Sequence, residues 1–172
     1  MSTRAIIYTR ISQDSEKKGE GVERQRVDCL ARAEREGWEV VDVLVENDVG
    51  ASTNHRKPRP LYAAMLARAE RREFEVILAY SNSRLTRRPR EYEDLIDLHK
   101  ETGVSIRTIV SGDDDLGTAD GRMNARIRAD IDAGEAERTS ERVKRALRAR
   151  VERGESANGG VRPFGGDRKS VV

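Results

Sequence analysis

Tyr8, Arg10 and Ser12 stand at alternate positions at the end of one apolar run, Ile6-Ile7-Tyr8-Thr9-Arg10-Ile11-Ser12. Arg84 and Arg87 come just after another, Val76-Ile77-Leu78-Ala79-Tyr80. A hydroxyl at one strand end, met by guanidinium groups from neighbouring strand ends, is the equipment for attacking a phosphodiester without a metal. In phosphoryl transfer the negative charge spreads over the non-bridging oxygens and must be met by preorganised cations or donors. Arginine suits that task because its planar fork binds phosphate in bidentate fashion and stays charged. Arg10, Arg59, Arg84 and Arg87 are the candidates, each beside a predicted strand end or helix start. For any one of them alone, a surface salt bridge is the commoner role. A serine after a strand is by itself most often a turn residue or helix N-cap. Ser12 has no G-x-S-x-G elbow and no histidine near it in sequence, which argues against a hydrolase triad.

The remaining composition narrows the field. His55 and His99 lack His, Cys or paired-carboxylate neighbours at metal-ligand spacing, so neither a metal site nor a cofactor is expected. The lone Cys29 cannot close an intrachain disulfide and fits a reducing compartment, with core packing as its role. No apolar run approaches the roughly 20 residues of a membrane span and no signal-peptide core opens the chain, so a cytoplasmic protein is expected. The net charge of +2 hides a local imbalance: from Arg138 to Arg153 seven basic residues face two acidic ones. Such a stripe suits a polyanionic partner, although many charged stripes are only solvated faces.

Elements that must position these residues can be read from periodicity. Ala5 to Thr9, Trp38 to Val45, Phe74 to Tyr80 and Val104 to Val110 read as strands. Val22 to Glu36, Pro60 to Arg72 and Glu91 to Thr102 read as helices, with Gln13 to Gly21 and Glu46 to Arg59 as polar loops. Strand and helix alternate four times, which predicts an α/β domain with a mainly parallel sheet. Ligands of such sheets gather at the carboxyl ends of the strands, and Ser12, Asp48 and Arg84 all lie just beyond predicted strand ends. Asp120 to about Arg153 reads as one long helix. Its apolar stripe (Ile127, Ile131, Val143, Leu147, Val151) is too thin for a core, so partial docking plus contact with a second subunit or DNA is expected. Gly154 to Gly166 reads as a linker.

Taken in order, the motifs resemble one family. They are Tyr8-x-Arg10-x-Ser12-x-Asp14, Glu23-Arg24-Gln25, Asp48 with Ala51-Ser52, Arg59-Pro60-Leu61, Ser83-Arg84-Leu85-Thr86-Arg87 and Asp115-x-x-Thr118-x-x-Gly121-Arg122. Glu137-Arg138-x-Ser140-Glu141-Arg142-Val143-Lys144-Arg145 and Gly159-Gly160-x-Arg162-Pro163-Phe164-Gly165 complete the series. The set is similar to the catalytic domain of serine recombinases, the resolvase/invertase family, and particularly the large serine integrases of phages. No single element is decisive, but the ordered set is specific.

The resemblance implies a resolvase-like three-layer α/β domain. A central, mainly parallel sheet of four to five strands would be followed by a long C-terminal helix. It implies a catalytic domain over residues 1–120, an oligomerisation and DNA-contacting helix over 121–154, and over 155–172 a linker opening a truncated recombinase DNA-binding domain. It also implies a site-specific DNA recombinase that needs neither metal, ATP nor cofactor. Ser12 would form a 5′-phosphoserine link, Arg10, Arg84 and Arg87 would contact the phosphate, Tyr8 would support Ser12, and Gln25, Asp48 and Arg59 match further active-site positions. Arg138, Arg142, Lys144, Arg145, Arg148 and Arg150 would meet DNA. Double-stranded DNA attachment sites, a homodimer and a synaptic tetramer are the implied partners, in the cytoplasm of a bacterial host. Two departures stand out: Ser83 replaces the aspartate many relatives carry, and Gly166 follows Phe164-Gly165 where an aromatic is usual. The competing readings are a non-catalytic DNA-associated oligomerisation module and a nucleotide-binding domain. The latter lacks a Gly-rich phosphate loop.

Overall fold

The structure, a computed structural model, describes residues 2–11, 18–47 and 58–154. The chain divides into two compact units, Met1–Gly134 and Glu135–Val172. In the first, β1 (Arg4–Ile11), β2 (Glu39–Asn47), β3 (Val76–Ala79) and β4 (Ser105–Thr108) form one all-parallel sheet in the order β2-β1-β3-β4. β1 is interior, and its Ala5-Ile6-Ile7-Tyr8-Thr9 stretch is wholly buried, as an apolar run paired on both sides and covered on both faces must be. Alternation splits that run between two cores. Ile6 and Tyr8 join Ile77, Ala79 and the apolar faces of α2 (Pro60–Glu70) and α4 (Pro89–Thr102), while Ile7 and Leu78 pack on Cys29 and Ala33 of α1 (Lys18–Arg35). The α/β expectation holds, with four parallel strands and helices on both faces.

Helix starts are set by distant side chains as much as by local caps. Pro60 opens α2 and its N-cap, Arg59, makes no side-chain cap; the Glu46 carboxylate of β2 instead accepts the Tyr62 N–H at 2.9 Å. α4 closes at Gly103, whose φ of 80° and N–H bond to the His99 carbonyl form a left-handed cap that glycine adopts without strain. The Asp115-to-Arg122 motif builds the start of α5 (Ala119–Glu152). The Thr118 hydroxyl accepts the Gly121 N–H at 3.0 Å, and a Cβ on Gly121 would lie 1.8 Å from the Asp115 carbonyl oxygen.

α1 begins four residues before the predicted Val22. Gln13 to Gly21 reads as a polar loop, yet no described atom approaches a Cβ placed on Gly21, and the helix carries this glycine at the usual propensity cost of about 1 kcal/mol. A short helix, α3 (Asn82–Leu85), joins β3 to the segment before α4 and was not expected. On α5 the docked face consists of small residues, Gly121, Ala125 and Ala129, while Met123, Ile127 and Ile131 are about half exposed. In the second unit, Val143, Leu147 and Val151 are exposed on the continuation of α5. No helix among the described residues is long and apolar enough to cross a membrane.

Candidate active site

β1 carries Tyr8 and Arg10 on one face toward its carboxyl end, and the register sets Arg10 opposite Glu46 of β2 and Tyr8 opposite Ala79 of β3. Arg10 reaches across to α3. Its Nε donates to the Arg84 carbonyl at 3.2 Å and its Nη2 to the Ser83 carbonyl. A β1 guanidinium is thus seated on the backbone of the turn that carries Arg84. Two carbonyls hold Arg10 in place, and the Ser83 hydroxyl pairs instead with Ser81 at 3.0 Å.

The unexpected helix explains how Arg84 comes forward. Asn82, Leu85 and Thr86 are buried, whereas Ser83, Arg84 and Arg87 are not. Residues three and four apart share a face of a helical turn. Asn82 and Leu85 therefore anchor the turn in the core, while Ser83 and Arg84 lie on its outer side.

Arg59 is different in kind. Its side chain is only 6% exposed. Nε and Nη2 donate to the Tyr8 hydroxyl at 3.2 and 2.9 Å, Nη2 also donates to the Leu85 carbonyl, and Nη1 pairs with Glu91 at 2.9 Å. The guanidinium lies 3.8 Å from the Tyr62 ring centroid and 5.4 Å from that of Tyr8, and the two rings meet edge-on. A buried charge survives only when paired and hydrogen-bonded, and here all three nitrogens are engaged. Burial pushes the Tyr8 phenol up to about 12, with Arg59 pulling the other way. Tyr8 therefore keeps its proton at neutral pH, accepts from Arg59 and retains an O–H to donate. Burial likewise pushes the Cys29 thiol up to about 12, which makes it a packing residue.

Gln25 lies on the buried face of α1, one turn before Cys29, and its Oε1 has no hydrogen-bond partner among the described residues. Ser12 and Asp48 lie outside the described residues. Sequence reasoning passed over Glu91, Glu46 and Asn82. Glu91 was legible as an acidic residue in the first turn of a Pro-started helix; nothing local marked Glu46 as a cap for a helix fourteen residues on.

Residues 5–156 match the family described as Resolvase, N terminal domain. The chain belongs to the resolvase family of serine recombinases. Solved members share its fold. The N-terminal catalytic domain of TP901-1 integrase superposes with a TM-score of 0.57 at 24% identity, covering 78% of this chain and 97% of that one. The C-terminal catalytic domain of ISC1926 TnpA, an IS607-like serine recombinase, is 31% identical over 62% of this chain and 70% of its own, with a TM-score of 0.51. A resolvase family site-specific recombinase from Streptococcus pneumoniae gives 0.57 at 16% identity, covering 89% and 99%. No curated protein matches the chain in sequence. Within this resolvase-family chain the basic residues Arg138, Arg142, Lys144, Arg145, Arg148 and Arg150 all lie exposed on the second unit.

Proposed function

We propose that this chain is the catalytic domain of a site-specific DNA recombinase of the integrase type, with Ser12 as nucleophile. The Ser12 Oγ–phosphorus bond forms as the bond from phosphorus to the 3′-oxygen breaks, leaving a 5′-phosphoserine and a free 3′-hydroxyl. After strand exchange a 3′-hydroxyl attacks the phosphoserine and restores the phosphodiester. Each step exchanges one phosphoester bond for another, so rejoining needs no ATP, and the arginines supply the positive charge that a metal would otherwise bring. Arg10, Arg84 and Arg87 meet the charge of the pentacoordinate phosphorus, with Arg59, Tyr8, Gln25 and Asp48 as further site residues. Tyr8, protonated, supports Ser12 as a donor, and Asp48 serves as acid or orienter.

The observation that carries this reading is the seating of Arg10, two residues before Ser12, on the carbonyls of Ser83 and Arg84. It ties the guanidinium at the end of β1 to the backbone of the turn that carries Arg84, which supports a site built from these two chain segments. Double-stranded DNA is the substrate, met by the exposed basic residues of the second unit. The half-exposed Met123, Ile127 and Ile131 suit burial against a second copy, consistent with a homodimer that assembles into a tetramer at synapsis.

A nicked half-site substrate run on a denaturing gel tests the assignment. The unaltered chain is expected to form a covalent adduct resistant to EDTA, and Ser12→Ala none while still binding DNA. Adduct in the variant would overturn the role of Ser12. An unaltered chain that binds the half-site without adduct would favour a non-catalytic oligomerisation module.

A further inference from the structure

Glu91 stands in the first turn of α4 and is not among the residues that the chemistry of the sequence singles out. One of its oxygens, Oε2, makes two bonds: it accepts from Arg59 Nη1 at 2.9 Å and from the backbone N–H of Arg87 at 2.6 Å. A helix cap would account for the second bond alone and an ion pair for the first. A single oxygen making both ties a buried guanidinium to the main chain of the arginine-bearing segment.

The rest of that segment is gripped in the same way. Arg10 holds the Ser83 and Arg84 carbonyls, and Arg59 holds the Leu85 carbonyl. With the Arg87 N–H in the grasp of Glu91, residues 83 to 87 are fixed at four backbone points. The gripping side chains come from β1, the start of α2 and the start of α4. None lies on the segment itself. Of these three, Glu91 is the only acid, and it faces Arg59 across a contact where the guanidinium is almost fully buried and the carboxylate is 26% exposed.

We propose that Glu91 is a positioning residue: through Arg59 and the Arg87 amide it sets the main chain from which Arg84 and Arg87 are presented to the scissile phosphate. The presentation to phosphate rests on the proposed recombinase chemistry; the hold on the backbone does not. An enzyme that stabilises charge by preorganised donors loses rate when those donors are loosened by even an ångström, although the substrate is still bound.

Two variants and two readouts decide it. Glu91→Ala removes both bonds. Glu91→Gln keeps an oxygen for the Arg87 N–H but loses the charge facing Arg59. Hydrogen exchange of the Arg87 amide is expected to quicken at least tenfold in Glu91→Ala and less in Glu91→Gln, while the Ile7 and Leu78 amides in the sheet keep their protection. With the half-site at saturation, adduct formation should slow at least tenfold in Glu91→Ala and partly recover in Glu91→Gln, with Kd for DNA within twofold throughout. Unchanged exchange at Arg87 overturns the proposal whatever cleavage does. Faster exchange with an unaltered adduct rate makes Glu91 a helix cap only, and overturns it as well. Should the unaltered chain form no adduct, the recombinase reading falls, and the exchange result alone decides whether Glu91 holds the segment.

Discussion

Arginine is used in two physically different ways at this site. Arg59 is an internal cation, ringed by a phenol, a carbonyl, a carboxylate and two aromatic faces. Arg10 is a partly buried fork resting on two carbonyls. The second use depends on shape as well as charge, because lysine has no fork to straddle two acceptors. Arg10→Lys is therefore expected to cut adduct formation by roughly 100- to 1000-fold, the 2.7–4 kcal/mol typical of losing one transition-state donor. Single-turnover rates on the half-site measure it, and a wild-type rate would make Arg10 a structural tie. A second charge lies buried away from the site. The side chain of Asp114 is 5% exposed beside Arg128, and burial raises its pKa, with Arg128 opposing and Asp113 adding to the rise. A carboxyl whose folded pKa is raised stabilises the fold below its unfolded pKa and loses that contribution as pH climbs through the folded value. Asp114→Asn, which cannot ionise, should thus look more favourable relative to the unaltered chain at pH 7 than at pH 4. Urea unfolding at the two pH values reads the difference, and an equal or reversed change would refute the shift.

Elements show which parts of the fold were open to sequence reasoning. The four strands and the helices now called α1, α2, α4 and α5 follow from periodicity, because burial of one face is written in which residues are apolar. α3 escaped because four residues complete barely one turn and leave no period to detect. What Ser81-Asn82-Ser83-Arg84-Leu85 records is the sorting of Asn82 and Leu85 inward and Arg84 outward. The site was legible as a set of residue types at strand ends. That Arg59 turns inward was not, since its partners Tyr8, Leu85 and Glu91 are 51, 26 and 32 residues away. The docked face of α5 was hidden for another reason. Large apolar residues draw the eye, whereas close approach selects small ones, and Gly121, Ala125 and Ala129 form the contact. Gly121 and Gly21 make a paired test of that idea. Gly121→Ala would gain helix propensity, but its Cβ would strike a backbone carbonyl at 1.8 Å, so the clash should win and destabilise by about 1–3 kcal/mol. Gly21→Ala meets nothing within 4 Å and should stabilise by about 0.5–1 kcal/mol. Thermal melts giving the same sign for both would show that propensity, not packing, governs Gly121.

On the scale of the whole molecule, the residues proposed for chemistry and those proposed for DNA affinity belong to different parts of the chain. The arginines proposed for the phosphate sit in the first unit, while six exposed cations (Arg138, Arg142, Lys144, Arg145, Arg148 and Arg150) lie on the second. Phosphate contacts release counterions, so affinity falls with salt at a log–log slope near −0.9 per contact on duplex DNA. If all six engage, the slope reaches about −5, and such contacts fix position without reading sequence. Replacing Arg142 and Arg145 together with Gln is accordingly expected to weaken binding equally on attachment and scrambled duplexes and to flatten the slope by about 2. Stability should barely move, because exposed residues away from packing change it by only about 0.5 kcal/mol. Titrations at several salt concentrations on both duplexes measure affinity and slope together. An unchanged slope would take these two arginines off the DNA. A loss confined to the attachment site would mean that the second unit reads bases, and the separation of anchoring from recognition would fail.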